Sequence, residues 1–392
     1  MSHHYQQRAP RWRRVLPALG LLALGLAACS DDATPADPDG AADLSLGAER
    51  FTAGAVYTST NAAGGNAVLA FLRGSDGRLR PPLTFPTGGA GTGALDLGSQ
   101  GAVTLSDNGR WLLVVNAGSD ELSVFHVRPD GLELTDRVFT GGAMPVSVTI
   151  HHDLVYVLNA AAPSGVVGFR LTPHGRLLHL LGSARPLSAP ATGPAQVEFT
   201  PGGQVLVVTE KATNLITTFS VQRSGLLGAG QPQPSNGQTP FGFAFDRQGR
   251  LVVSEAFGGA PGASAVSSYA LSRAGTLTTI SASVPSGEAA VCWVVITPNG
   301  RLALTTNTAS GTASAYAIGN QGQLSLLHAV AANTGAGSSP LDLALSRNGR
   351  FVYILAPGNG TLRPYQVEED GTLTGLGPVD GIPASAYGLA AR

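Results

Sequence analysis

Two cysteines in 392 residues, Cys29 and Cys292, cannot build a disulfide framework. Charged residues make up only 12% of the chain and the net charge is −1, which leaves nothing to hold nucleic acid or an anionic membrane surface. Lysine is scarcer still, since Lys211 is the only one. The apolar run from Val15 to Ala28 is too short to cross a membrane comfortably. The sequence has no Gly-x-Ser-x-Gly elbow, no His-Glu-x-x-His and no Cys-x-x-Cys pair. Those absences remove the nucleophile-elbow hydrolases, the zinc peptidases and the dithiol oxidoreductases.

What the chain does have is turns. Its 52 glycines and 26 prolines punctuate short apolar runs. The stretch from Val103 to Thr135 shows the unit. Val103–Leu105 runs into Asp107-Asn108-Gly109-Arg110, and Trp111–Asn116 into Ala117-Gly118-Ser119. Leu122–Val127 then meets Arg128-Pro129-Asp130-Gly131, after which a fourth strand begins. Asn-Gly and Asp-Gly between alternating apolar residues mark tight turns, because both positions accept positive φ. Alternation with Val, Leu and Phe argues for strand. The second-strand signature recurs at Ala55, Trp111, Leu154, Val205, Leu251, Leu302 and Phe351, a period of roughly 50 residues that belongs to propeller blades. The fold class is therefore all-β, a seven-bladed β-propeller of four-stranded antiparallel blades.

Before the repeats, Arg8, Arg11, Arg13 and Arg14 precede the apolar run, which ends Leu26-Ala27-Ala28-Cys29. A basic segment, a short apolar segment and a lipobox-like end predict a lipoprotein signal peptide over 1–28. Cys29 would be the lipidated residue, so the membrane would be reached only through the lipid anchor, at the cell envelope. Residues 29–50 hold that Cys and an acidic, Pro/Ala/Asp-rich tether with no core pattern. The propeller then fills 51–392, starting in mid-blade. The missing inner strand matches Ile382 to Ala390, which predicts that residues near 386–391 pair with 53–58 and close the first blade.

Antiparallel geometry puts the starts of inner strands and the ends of second strands at one end of the central channel. Gathered there are Gln100, Ser147, Gln196, Trp293 and Asp342 from inner strands, with Asn116, Asn159, Glu210, Lys211, Glu255 and Asn307 from second strands. They can form a ligand-binding funnel, or the Asn residues can simply satisfy turn backbone. Glu210 can be a general base, a cation ligand or a solvated loop carboxylate. Lys211 is either a chance survivor in an Arg-rich composition or a compact ammonium whose pKa can move. No motif demands a cofactor, although Asn and Glu oxygens could take Ca²⁺. Cys292 reads as core packing. His151-His152 reads as a solvated turn at the far end of the channel.

From about Arg50 onward the chain resembles the bacterial β-propeller lactonase-like family, relatives of 6-phosphogluconolactonase and of proteins labelled carboxymuconate cyclases. The resemblance is carried by the repeated Pro-(Asp/Asn)-Gly blade unit, Asn116–Ser119, Gly193-Pro194-Ala195-Gln196, Val208-Thr209-Glu210-Lys211 and Thr239–Phe245. Glu210 matches the family's Glu at the end of a second strand, whereas Ala195-Gln196 stands where the enzymes carry Arg-His. The resemblance thus implies hydrolysis of a small unphosphorylated lactone or cyclic ester, with Glu210, Lys211 and Gln196 as the catalytic set; the chain is expected to work as a monomer. The other reading is a non-catalytic propeller that binds a small ligand or a protein.

Overall fold

The computed structural model describes residues 53–392; the segment 1–28 expected to be a signal peptide, Cys29 and the expected tether to residue 50 lie outside them. The described residues form seven antiparallel sheets around one axis, with no α-helix and two short 3-10 turns at Phe257–Gly259 and Pro357–Asn359. From blade 1 to blade 7 the second strands are Gly54–Ser59, Trp111–Asn116, Leu154–Asn159, Val205–Glu210, Leu251–Glu255, Leu302–Asn307 and Phe351–Ala356. Their inner partners are Tyr387–Ala391, Val103–Leu105, Pro145–His151, Pro194–Phe199, Pro240–Phe245, Val291–Ile296 and Leu343–Leu345. In blades 3 and 7 the outer strand is split into two short pieces.

Closure agrees with the expectation from sequence. The strand Tyr387–Ala391 pairs with Gly54–Ser59 in the register Val56↔Ala391, Tyr57↔Ala390, Thr58↔Leu389 and Ser59↔Tyr387. Every second strand is buried along nearly its whole length, because each is covered on both faces by its neighbouring blades. The outer strands, such as Gly131–Phe139 and Leu277–Pro285, alternate towards solvent instead.

The turn glycines lock one blade to the next. Tyr156 donates its hydroxyl to the Gly225 carbonyl (2.9 Å), Thr218 to Gly275 (2.8 Å), Ser268 to Gly322 (2.8 Å) and Tyr353 to Gly77 (3.1 Å). Gly77 illustrates why the residue must be glycine. Its φ is 84°, and an added Cβ would come within 2.4 Å of the Phe351 ring.

Inner strands carry a recurrent irregularity that no alternation rule anticipates. The pairing register slips between Pro145 and Ser147, Pro194 and Gln196, Pro240 and Phe243, and Val291 and Trp293. Immediately before each strand a residue takes positive φ: Met144 at 55°, Gly193 at 55°, Thr239 at 56° and Ala290 at 57°. Such bulges redirect side chains, and here they set Ser147, Gln196 and Trp293 at the heart of the ring.

Candidate functional site

The channel is not open from end to end. Gln100 crosses it: its Nε2 donates to the Val294 carbonyl (2.9 Å), its Oε1 accepts from Val294 N–H (3.2 Å), and its own N–H donates to the Ala195 carbonyl of blade 4 (2.9 Å). Above it Trp293 donates Nε1–H to the Ser99 carbonyl (2.8 Å) and packs against Phe241 and Tyr387, with ring centroids 4.9 and 6.2 Å away. All three aromatic residues are buried. The end where inner strands start, expected from sequence to be a funnel, is thus sealed by large side chains drawn onto the axis.

The Lys211 ammonium belongs to this seal. It donates to the Gly98 and Pro194 carbonyls and lies 4.8 Å from the Phe241 ring centroid. Burial pulls its pKa down to about 8, against a smaller upward pull from Cys292. The Cys292 thiol is pushed up to about 12 by burial, which fits core packing.

Glu210 is next to Lys211 in sequence but faces elsewhere. It is fully buried, and its carboxylate accepts hydrogen bonds from Ser188 N–H, the Ser188 hydroxyl, Thr213 and Thr217. The same position is satisfied in the same manner around the ring. Asn116 accepts from Thr87 (2.7 Å) and Asn66 (3.0 Å) and donates to Ser123 (2.8 Å). Glu255 accepts from Gly237 N–H (2.9 Å), Ser267 (2.5 Å) and Ser283 (2.7 Å). Asn307 donates to Thr312 and Ser314, both at 2.8 Å. These side chains tie the ends of the second strands to third-strand hydroxyls, and in most blades also to the incoming connection. They do not converge on the channel. Asn159, in blade 3, accepts from Thr140 (2.7 Å) but meets no third-strand hydroxyl.

The axial cavity lies on the other side of Gln100, at the end where inner strands turn into second strands. It has a volume of about 430 Å³. Its polar lining includes Gln100, Thr104, Thr149, Gln196, Glu198 and Asp342, with Asp107 at its edge. Ser147 supports the wall from behind, its hydroxyl accepting from Val197 N–H (3.2 Å). Gln196 fixes one side: Phe243 N–H donates to its Oε1 (2.7 Å), and its Nε2 donates to the Phe243 carbonyl (3.0 Å) and to Glu198 Oε2 (2.8 Å). Asp342, 2% exposed, accepts from Leu343 N–H (2.9 Å) and from Leu389 N–H of the closing strand (3.1 Å). Among the described residues, no Lys, Arg or His lines this cavity.

Of the three carboxyl residues in this lining, Glu198 and Asp342 are the two that burial without a cation makes easily protonated. Burial raises Glu198 to about 8, with Gln196 opposing and Asp107 reinforcing the shift. Burial raises Asp342 to about 7 against its backbone donors. Both folded-state values exceed the ordinary 4.5 and 3.8, so the folded protein binds the extra protons. The associated stabilisation is complete below about pH 4 and is lost as pH climbs through 7 and 8. Lys211 has the opposite sign. Its folded value lies below 10.5, so between about pH 8 and 10 stability recovers. Thermal melts should therefore show the midpoint falling from about pH 5 to 8 and levelling or rising beyond. The pair Asp342→Asn and Glu198→Gln should flatten the falling limb, and an unchanged limb would show that other groups cause it.

Sequence reasoning passed over Glu198. The clue lay in strand alternation, which places it on the same face as Gln196 in an otherwise apolar inner strand. Among the described residues no group of three or more His, Cys, Asp or Glu gathers to hold a metal.

A propeller with a polar, carboxyl-lined axial cavity defines a broad class of enzymes and binding proteins. Similarity to known proteins narrows it. The family profile described as lactonase, 7-bladed beta-propeller, matches residues 65–191, 183–256 and 253–342, and the chain belongs to that family. Among curated proteins, a 6-phosphogluconolactonase of Yersinia pseudotuberculosis is 25% identical over 168 residues, which cover 40% of this chain and 50% of that protein. A 6-phosphogluconolactonase of Yersinia pestis matches to the same extent. The matched region spans about half the length of these relatives. Among solved structures, a periplasmic gluconolactonase of Pseudomonas aeruginosa superposes with a TM-score of 0.67 at 19% identity, over 85% of this chain and 98% of that one. A putative 6-phosphogluconolactonase of Bacteroides fragilis gives 0.62 at 16% identity, over 87% and 98%. At such identities the structural likeness is one of fold.

Proposed function

We propose that this protein is a lactonase-type hydrolase acting on small unphosphorylated lactones or cyclic esters within the axial cavity. The observation that carries this reading is that Asp342 and Glu198, from inner strands of different blades, both line one cation-free cavity. At neutral pH an acid of pKa about 8 is mostly protonated, while one of about 7 is divided between its two forms. Ionised Asp342 takes a proton from water as the oxygen bonds to the lactone carbonyl carbon. Protonated Glu198 hydrogen-bonds the carbonyl oxygen and then delivers its proton to the departing ring oxygen as the C–O bond breaks. The products are a hydroxy acid and, after one proton moves between the two groups, the starting enzyme. Gln196 stays within the proposed catalytic set and orients Glu198, whereas Glu210 and Lys211 serve the frame. A phosphate monoester would find no countercharge in this lining, which favours unphosphorylated substrates.

The test is hydrolysis of a lactone panel by the propeller, with and without Ca²⁺ or chelator. Gluconolactone should be turned over in preference to its 6-phosphate ester and should lose turnover in Asp342→Asn. Absence of turnover on every lactone would overturn the reading in favour of a binding propeller.

The lipobox-like Leu26-Ala27-Ala28-Cys29 supports export and lipid anchoring at the cell envelope. The periplasmic location in the Pseudomonas protein's name agrees with it. The wild type should sediment with membranes, and Cys29→Ala should release it to the soluble fraction. A wild type recovered soluble with a free mature N-terminus would sink the anchor.

A further inference from the structure

Blade 3 departs from its neighbours at one polar position. The residue that ends each second strand is answered in blade 2 by Ser123, in blade 4 by Thr217, in blade 5 by Ser267 and in blade 6 by Ser314. Each of these hydroxyls stands opposite the residue two places before that strand end: Val114, Val208, Val253 and Thr305. In blade 3 the equivalent partner of Val157 is Val167, which has no hydroxyl. Asn159 is 2% exposed, and its Oδ1 takes the Thr140 hydroxyl. Its Nδ2 has no partner among the described residues. Asn116 shows the same amide orientation with both arms filled.

Asn159 lines a cavity of about 250 Å³. Its walls include Pro163, Val166, Val167 and Pro186. One glycine opens the wall, and another packs on the amide as Gly89 packs on Asn116 in blade 2. Gly165, also in the wall, takes the register position of Glu121, Leu215, Ala265 and Thr312 in the other blades. A Cβ on Gly142 would press within 2.7 Å of the Asn159 amide carbon. The charged side chain in the lining, Arg185, has its guanidinium committed to the carbonyls of Gly182, Ala184, Leu227 and Gly228. No free charge therefore faces the space, and one buried N–H asks for an acceptor.

We propose that this cavity on blade 3 binds a small neutral molecule, apolar over most of its surface, that presents a carbonyl oxygen to Asn159 Nδ2. The site shares no residue with the axial cavity, so it stands or falls independently of lactone hydrolysis.

The probe is δ-valerolactam, a neutral ring with a carbonyl acceptor. The readout is the Asn159 side-chain amide resonance in a nitrogen-15 correlation spectrum, identified by its loss in Asn159→Ala. A local readout separates this site from any lactam that enters the channel. Titration should move the resonance saturably. Val167→Thr keeps the shape of valine and supplies the hydroxyl that Thr217 supplies in blade 4. It should weaken lactam binding by about tenfold or more, since the donor is then satisfied internally. Val167→Ser, which copies blades 2, 5 and 6, should do the same should the threonine variant fold poorly. A resonance that does not saturate, or equal binding in a folded Val167 variant, would overturn the proposal.

Discussion

Removing Ser385–Arg392 should leave a chain that is largely unfolded at room temperature, or that melts more than about 10 °C below the intact protein. The deleted strand supplies the whole inner edge of blade 1. Tyr387 and Leu389 are buried at 2% and 6% exposure, and losing them forfeits roughly 1.5–3 kcal/mol each. The backbone loses its pairing with Gly54–Ser59, and the hydroxyls of Thr58 and Ser59 lose the Tyr387 carbonyl that accepts from both. Asp342 loses the Leu389 N–H. Against a total stability of about 5–15 kcal/mol for a domain, the sum is disabling. Circular dichroism during a thermal ramp decides the matter, and a truncated protein melting within a few degrees of the parent would show that the seam carries little of the stability.

Replacing Asp342 with Asn should lower kcat for lactone hydrolysis by about 10²-fold or more, with a smaller effect on KM, because the substitution keeps size and removes the base. Glu198→Gln should act on the other half of the reaction. The wild-type rate should rise with pH as Asp342 ionises near 7 and fall as Glu198 loses its proton near 8, giving a narrow bell whose limbs belong to the pair. Glu198→Gln should abolish the alkaline limb along with most of the turnover. Full activity in Asp342→Asn, or a bell that survives both substitutions, would remove these carboxyls from the mechanism.

The blade count, the turn ends and the closing strand are legible in the sequence because period, turn chemistry and alternation are local signals. The site is legible only in part. Gln100, Gln196 and Asp342 stand out along the chain and do line the axial cavity. The cavity's position at the opposite end depends on how far Trp293, Phe241 and Tyr387 reach inward, and a bulge decides that after pairing has formed. The strand-end residues mislead for a related reason. Whether Glu210 or Asn116 faces a ligand or a neighbour depends on Thr217 and Ser123, and only the register brings those hydroxyls opposite. A polar residue read along the chain looks free until the strand beside it is known.

The Gln100 crossing has a kinetic meaning. Its amide completes the peptide hydrogen bonding of Val294 from across the ring, and it lies as a floor between the axial cavity and the end where inner strands start. Whatever is formed at the bottom must leave by the path its precursor used. Occupancy by product and by substrate then excludes one another, so the hydroxy acid should behave as a competitive inhibitor. Under sustained load, turnover would be paced by how quickly an anion escapes past Asp107 at the cavity edge.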